Sequence, residues 1–137
     1  MKKITHIFTL FVFVCLPIRM ANAGILVVDS IVMNSTPQSG TWLFCFTVKK
    51  GDNENTFNVP NKEFKDNGIT IDTKLELADV NRGDKVQFEM GLDDDQADVC
   101  GSKAEDKASG EFTVVSKGSK KVNPRDNWSF IINYHLE

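Results

Sequence analysis

Between residues 41 and 49, large apolar side chains recur at every second position: Trp42, Phe44, Phe46 and Val48, with Leu43, Cys45 and Thr47 on the opposite side. A period of two belongs to a strand with one buried face, and three large aromatics on that face place it at the centre of a core. The alternation returns in 69–77, where Ile69, Ile71, Thr73, Leu75 and Leu77 are separated by Thr70, Asp72, Lys74 and Glu76. It returns again in 86–92, with Val86, Phe88, Met90 and Leu92, and in 128–136, with Trp128, Phe130, Ile132, Tyr134 and Leu136. Residues 25–33 are apolar and β-branched with Asp29 as their only charge, and read as a first strand. Two shorter runs complete the set: 56–59, which Pro60 is expected to end, and 111–115, with Phe112 and Val114 on one face.

Turn residues separate these runs, in 34–40, in 50–55 and at Asn67-Gly68. Asn81-Arg82-Gly83-Asp84 is short enough to fold the strands before and after it into an antiparallel hairpin. Residues 102–109 are charged and suit a loop or a single helical turn, and 116–127 read as a flexible basic connector carrying Lys117, Lys120, Lys121 and Arg125. Seven or eight short strands and no convincing helix describe an all-β chain, an antiparallel β-sandwich or barrel, with an immunoglobulin-like sandwich as one form. Trp42, Phe44, Phe46, Phe88, Phe112, Trp128 and Phe130 are the expected shared core of its two sheets.

The N-terminus adds a compartment. Lys2 and Lys3 precede an apolar run over 7–16 and then Ala21-Asn22-Ala23, the layout of a secretory signal peptide spanning 1–23. Cleavage after Ala23 leaves a single domain over 24–137 with 13 basic and 19 acidic residues, a formal charge of −6, outside the cytoplasm in the periplasm or medium. A net acidic surface disfavours nucleic acid and anionic lipid and suits a cation or a basic protein. No further segment is apolar and long enough to cross a bilayer. Cys45 and Cys100 are the two cysteines left after cleavage, and in an oxidising compartment they are expected to form a disulfide.

Catalytic groups are scarce, and the chain reads as a non-enzyme. His135 is the one histidine beyond the leader, expected as an exposed strand residue with no positioned partner, and no nucleophile or phosphate-loop motif accompanies it. The unusual chemistry lies where the 86–92 strand ends, in Asp93, Asp94, Asp95 and Asp98, followed by Cys100 and Gly101. Four carboxylates within six residues repel one another, and Ca²⁺ is one remedy. The spacing is not that of an EF-hand, and the alternative is a solvated acidic loop that blunts a sheet edge.

The run from Val86 to Gly101 resembles the central part of a C2 domain, in which a strand ends in D-x-D and a loop closes on D-apolar-x-G. Asp93 and Asp95 match the first pair, and Asp98-Val99-Cys100-Gly101 matches the closing motif. The resemblance implies an eight-stranded antiparallel sandwich whose apical loop binds Ca²⁺ through Asp93, Asp95 and Asp98. The loop at 34–40, which would add further aspartates, has none. The leading expectation is an exported binding protein without cofactor, acting through Asp93, Asp94, Asp95 and Asp98 on a basic protein such as a hydrolase or a toxin. The alternative is a Ca²⁺-dependent lipid- or carbohydrate-binding module.

Overall fold

A computed structural model describes residues 23–37, 40–64, 68–93, 104 and 106–137, without the side chains of Pro60, Asn61 and Phe64. The leader, Asp94, Asp95, Asp98 and Cys100 lie outside the described residues. Eight strands follow one another: β1 (Gly24–Ser35), β2 (Gly40–Lys50), β3 (Asn53–Phe64), β4 (Ile69–Val80), β5 (Lys85–Asp93), β6 (Asp106–Thr113), β7 (Lys117–Arg125) and β8 (Trp128–Leu136). They form two four-stranded antiparallel sheets, ordered β4-β1-β8-β7 and β3-β2-β5-β6.

The period-two runs become the inner faces. In one sheet Phe44, Phe46 and Val48 stand opposite Leu92, Met90 and Phe88. In the other, Val28, Ile31 and Met33 stand opposite Tyr134, Ile132 and Phe130. All seven expected core aromatics are buried. Phe88 ties the layers together: it stacks on Phe46 at 6.1 Å within its sheet and meets Phe130 of the other sheet edge-on at 6.2 Å. Such pairs add attraction beyond the area they bury.

Four expectations need correction. The strands flanking Asn81–Asp84 do not form a hairpin, because β4 pairs with β1 and β5 with β2, in different sheets. The alternation slips at Ala78-Asp79-Val80, where Asp79 adopts φ +59° and both Ala78 and Asp79 are exposed. The chain leaves its sheet there and crosses to the other, so β4 and β5 contribute to one core from different sheets. Pro60 does not end β3, which runs on to Phe64. β3 is an edge strand, and Pro60 and Asn61 together oppose Leu43 in a bulge, the position where a missing N–H is tolerated. Residues 106–109 belong to β6, and 117–125 form β7 rather than a flexible connector. β7 shows no alternation because it lies at a sheet edge with only Gly118 and Val122 partly covered; its ladder to β8 makes it a strand.

Candidate functional site

All four connections nearest the acidic motif converge on one end of the sandwich: β1 to β2, β3 to β4, β5 to β6 and β7 to β8. The opposite end is stitched shut. There the backbones of Gly83 and Asp84 exchange hydrogen bonds with Val114, at 2.9 and 2.8 Å. Lys50 Nζ meets Asp84 Oδ2 at 2.6 Å, and Asn81 N–H donates to the same oxygen at 2.7 Å. These contacts, the Lys50 hydrogen bond first, hold the Asp84 carboxyl below its ordinary value.

At the acidic end, two buried carboxylates flank the β5–β6 connection. Asp93 closes β5 opposite Leu43 on the outward face of the sheet and is 9 % exposed. Asp106 opens β6 opposite Leu92 and is 5 % exposed. Burial of a charge this deep requires a partner, and Arg125, from the end of β7 in the other sheet, forms an ion pair with Asp106. The Arg125 guanidinium also lies 5.7 Å from the Trp128 ring centre, within cation–π range. The Arg125–Asp106 pair therefore joins the two sheets at the root of the acidic segment. Asp106 Oδ2, Trp128 Nε1 and Thr36 Oγ1 are buried without a hydrogen-bond partner among the described residues. Asp106 and Arg125 were not legible as a pair, since they lie 19 positions apart in segments read as loops.

The expected partner-binding set is thus only partly placed. Of Asp93, Asp94, Asp95 and Asp98, Asp93 alone is described, and it is a buried root rather than an exposed tip. Among the described residues no group of three His, Cys, Asp or Glu side chains is arranged to hold a metal ion. Cys45 is buried on the outward face of β2, opposite Gly91. A Cβ on Gly91 would lie 3.0 Å from the Cβ of Ala104, so Ala104 lies close against Gly91, the residue opposite Cys45.

His135 departs from expectation. Its side chain is 32 % exposed, with Nδ1 3.0 Å from Asp29 Oδ2 and Nε2 3.2 Å from Glu137 Oε1. The hydrogen bond to Asp29, then that to Glu137, raises its proton affinity above the ordinary value. With both ring nitrogens engaged by carboxylates, this imidazole is a poor general base. Asp29 reaches it because β1 bulges between Val28 and Ser30. The only signal in the sequence is that Asp29 is the lone charge in an apolar strand.

Among the described residues no helix is long and apolar enough to cross a membrane. No family model matches the chain, and comparison with curated proteins and with solved structures finds no match either.

Proposed function

We propose that the chain is an exported, non-catalytic binding protein whose acidic β5–β6 connection engages a basic protein, as a hydrolase inhibitor or a toxin-immunity protein would. The carrying observation is the way that connection is held. Asp93 and Asp106 are buried at its two roots, and Arg125 clamps one root to the other sheet. Asp94, Asp95 and Asp98 belong to a connection whose two ends are fixed, and preorganised like charges steer a cationic partner and speed its encounter. A Cys45–Cys100 disulfide belongs to the same reading. Ala104, four positions after Cys100, lies against Gly91, the neighbour of Cys45 across the ladder, which supports this pairing.

A second reading is Ca²⁺-dependent attachment through Asp93, Asp95 and Asp98. The two four-stranded sheets fit the eight-stranded sandwich that the C2 resemblance implies, and Asp93 stands at the end of β5. One experiment separates the two. The partner captured from exported extract is titrated against wild type and the Asp94→Asn/Asp95→Asn/Asp98→Asn variant, with and without Ca²⁺, over a range of salt. The acidic-steering reading predicts association at least about tenfold slower for the variant, a flatter salt dependence and no effect of Ca²⁺. Equal rates would overturn it, and a strict Ca²⁺ requirement would favour the second reading.

A further inference from the structure

The two flanks of the sandwich differ. On one, side chains from the end of β2 and from β3 cap the backbone of β4: Asn53 Nδ2 donates to Ala78 O at 2.6 Å, Asn55 Nδ2 to Glu76 O at 2.8 Å and Lys50 Nζ to Asp79 O at 2.6 Å. On the other, β6 and β7 are the outermost strands, and no described strand pairs with the outer edge of either. A cleft of about 330 Å³ opens between them. Its floor includes Phe112 and Tyr134, whose rings lie 4.7 Å apart, and Lys85, Glu111, Thr113, Ser119 and Lys120 line it.

Three features make this cleft more than a guarded edge. Lys120 occupies the inward row of β7, opposite Ile132, where a hydrophobic residue would normally seal the core, yet it is exposed and lines the cleft. Gly118, two positions earlier in the same row, carries no side chain, and a Cβ there would come within 2.7 Å of the Tyr134 hydroxyl. The Gly118 backbone therefore packs directly on Tyr134, and both floor rings stay buried, Phe112 at 6 % and Tyr134 at 4 % exposed, so Lys120 is the side chain that β7 sets in the cleft. Lys117 and Lys121 add positive charge along β7, and Lys85 at the opposite lip is paired only at 3.5 Å with exposed Glu111.

We infer that the β6–β7 flank is a strand-addition site for an extended acidic peptide segment, its backbone pairing with β7 and one carboxylate side chain seated in the cleft beside Lys120. Strand addition supplies affinity through main-chain hydrogen bonds and specificity through alternate side chains. A polyphosphate could use the lysines but not the open backbone edge, and the acidic balance of the chain repels nucleic acid. This site is separate from the acidic end and opposite to it in charge, so either can fail without the other.

The probe is a synthetic peptide of about eight alternating Glu and Val residues, a typical strand length, titrated into the protein purified as the cell makes it and followed by amide NMR. Binding should shift β7 amides and slow their exchange with solvent. Lys120→Glu should weaken it at least tenfold, and so should methylation of alternate peptide nitrogens, which leaves every charge in place. Thermal melting of the exposed Lys120→Glu variant confirms that it still folds. No binding, shifts confined to other strands, equal affinity for the Lys120→Glu variant or for the N-methylated peptide, or full competition by inorganic phosphate would each overturn the proposal.

Discussion

His135 sits between two carboxylates on strands joined at the chain's end, and its raised proton affinity has a definite thermodynamic sign. The folded chain holds the imidazole proton more tightly than the unfolded chain. Its stabilising contribution is therefore complete below the ordinary value of 6.5 and is lost as pH rises through the higher folded value. Urea titrations of wild type and His135→Gln at pH 5.5 and 8.5 should show the larger difference at the lower pH; a difference independent of pH would show that the pair carries no linkage. At Phe88, contacts with Phe46, Phe112 and Phe130 predict that Phe88→Ala costs about 3–5 kcal/mol. A loss under about 1 kcal/mol, as at a surface site, would contradict the central position given to that ring. The aromatic core was legible residue by residue, since alternation alone assigns the inward side of a strand. Asp29 with His135, 106 positions apart, was not, because a bulge brings them together and no local pattern announces a bulge.

At the scale of elements, legibility followed burial. β4, β5 and β8 bury chiefly one face and β2 buries both from Trp42 to Val48, and each stands out as a run of alternate large apolar residues. β7 covers almost nothing and was invisible, because its partner in β8, not its own composition, makes it a strand. Partnership across sheets was also hidden: alternation states which face of β4 is buried but not whether β5 lies beside it or opposite it. Stability should follow the same division. Native-state hydrogen exchange should find β7 the least protected strand, near local opening, and β1 and β2, each paired on both sides, among the most protected. Protection of β7 equal to that of β2 would mean that its outer edge is covered.

The whole molecule has one end sealed by backbone and ionic contacts and an opposite end at which two buried carboxylates, Asp93 and Asp106, flank the β5–β6 connection. In the proposed reading, a Cys45–Cys100 disulfide would tie that connection to β2. Thiol titration of the denatured, unreduced protein should accordingly find neither cysteine reactive; two reactive thiols would remove the clasp. Four aspartates in a row of six announced this end in the sequence, whereas the Asp106–Arg125 clamp beneath it depends on two sheets meeting and could not be read from either strand alone. The most direct measurement is crosslinking in the producing cell, with a photoreactive residue replacing Asp95 at the acidic end or Asp52 in the exposed β2–β3 turn at the far end. A specific protein adduct from position 95 and none from position 52 is the predicted result; an adduct from position 52 alone, or from neither, would contradict the assignment of the acidic end as the binding surface.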